Sequence, residues 1–251
     1  MKEQIIGILR KIEKENNITI LLAVESGSRA WGQNNENSDY DVRFIYKHND
    51  IAEYLVLNKF NDVIESNNGE YDLVGWDIKK ALYLHFKSNP NLREWLISPI
   101  VYIPDTIGIF DGLPEFNPQI LKYHYYGLAY NSYKKYLVKN QLDKLKLIKK
   151  ELYVVRCILT LKILENGFLP SSLNIDELVN QCDIDNGLKI AILSLKKSYS
   201  NLDIGGTDEK YNLIYSWIEE SLENFEKTKI DNPKINIEDY NKRFHQIIGI
   251  R

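Results

Sequence analysis

The sequence predicts an α+β protein in two parts: a small mixed β-sheet domain over residues 1–112, followed by an α-helical bundle over 113–251. Three observations carry this reading. Strand-like runs are confined to the stretch before residue 104, and helical periodicity runs almost unbroken after Pro118. Between them, residues 106–118 hold two Pro and two Gly and read as a junction.

Ile5, Ile8, Leu9 and Ile12 recur at helical spacing among charges, which makes residues 3–15 an amphipathic opening helix. Ile18-Thr-Ile-Leu-Leu-Ala-Val is uncharged and β-branched, the pattern of a buried strand, and it runs into Glu25-Ser-Gly-Ser28. Residues 27–33 form a turn and short helix, and 34–38 a polar loop. From Asp39 to Tyr46 the chain alternates. Tyr40, Val42, Phe44 and Tyr46 share one face of a second strand, and Asp39, Asp41, Arg43 and Ile45 the other. Further strands are expected at 62–65 and 70–76, joined by the turn Asn67-Asn68-Gly69. Asp77 then caps a helix beginning at Ile78. Pro90 and Pro99 bracket a short helix over 91–97, and a last strand covers 100–103. Helices are expected over 118–138, 142–165, 174–182, 186–198, 207–228 and 236–248, with Pro118 at a first helical position.

The chain has 251 residues, a formal charge of −3 and 44% hydrophobic residues, among them 17 Tyr, 8 Phe and 4 Trp. That is enough apolar surface to offset the entropy of folding, so disorder is excluded as the dominant state. The charge balance excludes a broadly basic nucleic-acid binder, though not a local basic patch. Cys157 and Cys182 are too few for a disulfide framework. The first residues lack a secretory leader's apolar core, and no run approaches the roughly 18 apolar residues of a membrane span. A cytoplasmic protein with no membrane partner is the expectation.

The chemistry lies in one stretch. Strand residues two apart share a face, so Asp39 and Asp41 converge. Two such anions repel each other unless a cation lies between them, and their hard oxygens suit Mg²⁺ or Mn²⁺. Ten residues upstream, Gly27 admits a close backbone approach, and Ser28 offers a hydroxyl and an amide to a phosphate oxygen. Together they suit a metal-bound polyphosphate. Arg29 is available to a phosphate or to Glu25. Between Lys134 and Lys162 lie eight Lys and Arg156 against only Asp143 and Glu151. On the 142–165 helix, Leu145, Ile148, Leu152, Val155 and Leu159 form the expected buried stripe, while Lys146, Lys149, Tyr153 and Arg156 fall on an adjacent face. That face is either a solvated cationic surface or a triphosphate cradle with Tyr153 against the base.

Gly27-Ser28, a spacer of ten and Asp39-Tyr-Asp41-Val resemble the signature of the DNA polymerase β-like nucleotidyltransferase superfamily. The longer strings Glu25-Ser-Gly-Ser-Arg-Ala-Trp-Gly and Ser38-Asp-Tyr-Asp-Val-Arg-Phe-Ile-Tyr46 are similar to its bacterial branch associated with RNA repair. So are Gly75-Trp-Asp77 with Lys79-Lys80-Ala-Leu, Lys87-Ser-Asn-Pro90 with Glu94-Trp-Leu, and Ser98-Pro-Ile-Val-Tyr102. The likeness covers about residues 20–170, and residues 33–37 depart from the usual loop without changing its length.

The resemblance implies a polymerase β-like palm and a third carboxylate on a neighbouring strand. Asp72 matches that position, with Asp77 the competitor. It also implies attack by an acceptor hydroxyl on the α-phosphate of an NTP, ATP being the expected one, with pyrophosphate leaving. Asp39, Asp41 and Asp72 would hold Mg²⁺ or Mn²⁺, and Gly27, Ser28, Arg29, Lys149, Tyr153 and Arg156 the nucleotide. The resemblance leaves the acceptor open, an RNA end being one candidate. A protein hydroxyl, a small molecule, or a catalytically silent nucleotide sensor are the alternatives.

Overall fold

The computed structural model describes residues 1–57, 60–139, 141–203, 208–225 and 235–250, with backbone alone over 208–211. It divides into two compact units. One comprises residues 1–27, 39–116 and 233–251, the other 28–38 and 117–232. Two features set this apart from a single boundary at 112. Residues 28–38 belong with the helical unit, and the last stretch of chain belongs with the sheet.

In the sheet unit, α1 (Lys2–Asn16) turns its apolar stripe, Ile5, Leu9 and Ile12, inward and ends at Asn17, whose φ of 50° stops the helix. The chain continues through β1 (Ile18–Glu25), β2 (Tyr40–His48), a 3₁₀ turn at Ile51–Tyr54, β3 (Val63–Asn67) and β4 (Tyr71–Asp77). After helices α3 (Ile78–Phe86) and α4 (Pro90–Leu96), β5 (Val101–Ile103) completes a five-stranded sheet of order β3-β4-β2-β1-β5. The helix between residues 27 and 30, α2, straddles the two units. The β2–β4 pair is parallel, with Asp41 opposite Asp72 and Tyr46 opposite Asp77; the other pairs are antiparallel.

Alternation sorts the faces as expected. Val42, Phe44 and Tyr46 join the α1 stripe in the core, which turns Asp41 and Arg43 to the opposite side of the sheet. Gly75 makes that packing possible, because a Cβ there would lie 2.1 Å from the ring of Phe44. Trp76 stacks on Trp95 with ring centroids 3.7 Å apart.

The helix at Ile237–Ile248 also belongs to the sheet unit, whereas the sequence places it in the bundle. Its Tyr240 hydroxyl lies 3.0 Å from Nδ1 of His85, Phe244 packs edge-on against Tyr54, and Arg243 donates to the carbonyls of Ile107, Gly108 and Ile109. Periodicity reveals that a helix has an apolar face, and only tertiary structure reveals what that face meets.

In the helical unit, α5 (Pro118–Ser132) starts on an Asn117 cap and runs into a π-helical turn, Tyr133–Leu137. Next come α6 (Lys144–Glu165, capped by Asp143), α7 (Ile175–Gln181), α8 (Asn186–Ser200) and α9 (Asp208–Glu223). Residues 207 and 226–228 of the helix expected over 207–228 lie outside the described residues. The helix at Ile237–Ile248 is α10. No described helix is long and apolar enough to cross a membrane.

Candidate active site

β1 is uncharged until its last residue, Glu25, which is fully buried. A buried carboxylate must find partners, and this one has them: its Oε1 accepts from the Asp41 amide at 2.8 Å and its Oε2 from the Tyr102 hydroxyl. The Glu25 carbonyl accepts from Ser98 Oγ at 2.5 Å, and the Ser26 amide donates to the Asp41 carbonyl at 2.7 Å. Glu25, Ser98 and Tyr102 therefore fix where β2 begins relative to β1. Sequence reasoning offered Glu25 only as a partner for Arg29, not as the anchor of β2. The signal was present in one charge at the end of an otherwise uncharged buried strand.

Gly27 follows with φ +59°, and a Cβ on it would lie 1.8 Å from Oδ2 of Asp41. Glycine is required here on both counts, conformation and space. Ser28 is next. Its Oγ is buried and has no hydrogen-bond partner among the described residues, which leaves the hydroxyl able to serve a ligand. Within the segment 28–38, Arg29 Nη2 donates to the Ser38 carbonyl at 2.5 Å and the Gln33 amide to the Ser28 carbonyl at 2.8 Å, so the segment closes on itself.

Asp39 stands one residue ahead of β2 and is exposed. Asp41 and Asp72 come together across the parallel pair, and one guanidinium joins them. Arg43 Nη2 donates to Asp41 Oδ1 at 2.9 Å and to Asp72 Oδ2 at 2.8 Å, while its Nη1 donates to the carbonyls of Asp72 and Val42. Asp72 Oδ1 also accepts from Asn67 Nδ2 at 3.3 Å. Alternation put Arg43 on the face of the aspartates, but nothing in the spacing announced that it would bridge two strands.

Asp77 lies at the other end of β4. Its Oδ1 caps α3 through the Lys79 amide at 2.7 Å and its Oδ2 accepts from the Tyr54 hydroxyl at 2.9 Å. Burial pushes its carboxyl up to about 6, against the pull of those hydrogen bonds. A cap at the far end of the strand from Asp41 is not placed to share a ligand with it.

In α6, Lys149 is exposed as expected of a cationic face, but Arg156 is not. It is 3% exposed, with its guanidinium 4.7 Å from the ring centre of Trp31 and 5.3 Å from that of Tyr153. The four residues named on one helical face therefore differ in environment. Arg156 and Tyr153 pack in an aromatic stack, while Lys146 and Lys149 face solvent. Of the expected buried stripe, Ile148, Leu152, Val155 and Leu159 are buried and Leu145 only half-buried, but the buried face is wider than that stripe. It takes in Glu151, fully buried, whose carboxylate oxygens have no partner among the described residues and whose carboxyl burial pushes up to about 9.

Among the described residues, no three or more His, Cys, Asp or Glu converge tightly enough to hold a metal as they stand. The donor chemistry nevertheless fits a hard divalent cation. Asp41 and Asp72 are oxygen donors drawn together on a shared positive charge, and Gly27 keeps Asp41 Oδ2 uncrowded.

A family model described as the RNA repair pathway DNA polymerase beta family matches residues 1–246. Over 233 residues the chain is 36% identical to the uncharacterized protein YcgL of Bacillus subtilis (strain 168), covering 89% of this chain and 86% of that one. Among solved structures, it is similar to the spectinomycin adenyltransferase AAD(9) from Enterococcus faecialis, crystallised with ATP and spectinomycin. The identity is 17% and the TM-score 0.49, over 88% of this chain and 98% of that one. A nucleotidyltransferase-like protein from Exiguobacterium sibiricum 255-15 is similar at 13% identity and a TM-score of 0.32, over 98% and 80% of the respective chains.

Proposed function

The chain belongs to the RNA repair pathway DNA polymerase beta family, a nucleotidyltransferase family, and on that premise we propose a metal-dependent transfer of a nucleoside monophosphate from an NTP to the hydroxyl of an RNA end. ATP is the nucleotide we assign. The observation that supports this reading most is the Asp41–Asp72 pair, two carboxylates from parallel strands facing one positive charge beside a glycine that leaves them room.

In this reading, Asp39 and Asp41 hold Mg²⁺ or Mn²⁺. Asp72 joins them on the side of the attacking hydroxyl, where it orients that group and accepts its proton. The hydrogen bonds that Asp77 accepts as a cap and from Tyr54 favour Asp72 over it in this role. Gly27 and Ser28 receive phosphate oxygens, Ser28 through its unpartnered hydroxyl. When bound, the metal supplies charge neutralisation at the phosphates. The protein's share is positioning: Glu25 holds the Asp41 backbone, and Arg43 holds the two acids in mutual register.

The test is to incubate the protein with each α-labelled NTP and Mg²⁺ alongside cell extract split into RNA, protein and small-molecule fractions. Label on RNA that is lost with Asp39→Ala is the expected result. Label on protein or small molecules instead would move the acceptor, and label that survives Asp39→Ala would overturn the mechanism. No label in any fraction would leave a nucleotide sensor.

A further inference from the structure

Without ligand, the carboxylates Asp41 and Asp72 already have a cation, and the chain provides it. Arg43 is only 16% exposed and is held from both sides: Nη1 is pinned to the backbone carbonyls of Asp72 and Val42, while Nη2 is shared between one oxygen of each carboxylate at 2.9 and 2.8 Å. A guanidinium has five donors in a fixed planar fork, so it bridges acids on adjacent strands where a point charge cannot. Two acids and one guanidinium leave this cluster with a single net negative charge, weak attraction for a divalent cation arriving alone. A nucleoside triphosphate carries several negative charges and its own bound metal.

We propose that Arg43 is a built-in counter-cation that keeps divalent metal out of the Asp41/Asp72 pair until the nucleotide arrives, so that metal and NTP enter as one complex. Arg43 is thus a positioning residue with two tasks. It holds the acids in register before loading, and it turns from carboxylate to phosphate as the triphosphate takes the place of the acids as its anionic partner. The idea rests on the proposed nucleotidyl transfer for its nucleotide, but its electrostatic content concerns the free protein.

The test is therefore metal binding rather than turnover. Mn²⁺ is titrated into wild type, Arg43→Gln and Arg43→Lys, without nucleotide, and free Mn²⁺ is followed by electron paramagnetic resonance. With the competing charge gone, R43Q should bind Mn²⁺ at least about ten-fold more tightly than wild type. R43K, a charge without the fork, should fall between them. A saturating non-hydrolysable NTP analogue should shrink the gap to within about three-fold. A merely structural arginine would give the opposite, with equal or weaker binding in R43Q, and that result overturns the proposal. Should R43Q lack a cooperative melt, R43K decides instead: binding tighter than wild type supports the proposal, and equal or weaker binding overturns it. Tighter metal binding in R43Q without label transfer by wild type would sink the functional reading and keep this one. Transfer by wild type with unchanged metal affinity in R43Q would do the reverse.

Discussion

Glu25 in the sheet unit and Glu151 in the helical unit are both fully buried carboxylates, yet they live by opposite rules. Glu25 accepts from a backbone amide and a tyrosine hydroxyl, and through them it fixes the start of β2. Glu151 has no partner among the described residues, and burial keeps its proton on up to about pH 9. The lesson is that burial alone does not mark a functional acid. What distinguishes the acids around the candidate site is that a directed donor answers each of them, Arg43 for Asp41 and Asp72, and Tyr54 for Asp77. A network of that kind holds atoms in place, which catalysis by positioning requires.

The largest effect expected on this contrast comes from Asp41→Asn. Transfer should fall by at least about 100-fold while the melting temperature moves by only a few degrees, as read by labelled-NTP assay and calorimetry. Gly27→Ala should come close behind. Its Cβ would meet Asp41 Oδ2 in a backbone conformation that disfavours any side chain, and displacing that carboxylate by about 1 Å should cost on the order of 100-fold in rate. A fully active G27A would break the claim that Asp41 must stay where it is.

Glu151 sharpens the other side. A carboxyl whose folded pKa is raised stabilises the fold fully below its ordinary value of 4.5, and that contribution is lost as pH climbs through about 9. Wild-type stability should therefore fall between those limits. Glu151→Gln should flatten the slope, matching wild type near pH 5 and exceeding it near pH 9 by on the order of a few kcal/mol in urea titrations. Glu25→Gln should do the reverse, losing about 1–3 kcal/mol at neutral pH, because an amide offers one acceptor oxygen where the Asp41 amide and the Tyr102 hydroxyl each have their own. The smallest effect is expected from Lys149→Ala. It should leave stability within about 0.5 kcal/mol and only weaken the thermal shift produced by NTP.

Local pattern carried most of the architecture. Every strand, and most α-helices whose ends are described, fall within a few residues of where alternation, caps and prolines place them, whereas the π-helical turn at Tyr133–Leu137 and the 3₁₀ turn at Ile51–Tyr54 were not expected. Asp77 caps the helix its position suggests. The Gly27-Ser28 and Asp39-x-Asp41 positions were equally legible, because they depend on short-range geometry. What escaped depends on partners distant in sequence. Whether Arg156 faces water or a ring is decided by Trp31 from another segment, and Arg43's role by the register that sets Asp72 beside Asp41. The allegiance of α10 was hidden in the same way, since its apolar face fits a bundle and a sheet unit equally well on periodicity.

That allegiance bears on how the protein is made. The aromatic surface of α3, Tyr54 and the carbonyls at residues 107–109 are translated long before Tyr240, Phe244 and Arg243, which respectively pack on them. On the ribosome, every residue of the helical unit is synthesised before the sheet unit has its last helix. The sheet unit, begun first, thus cannot complete its fold until the last helix is made, and a nascent chain stalled before residue 237 would present that unit incomplete to chaperones and proteases.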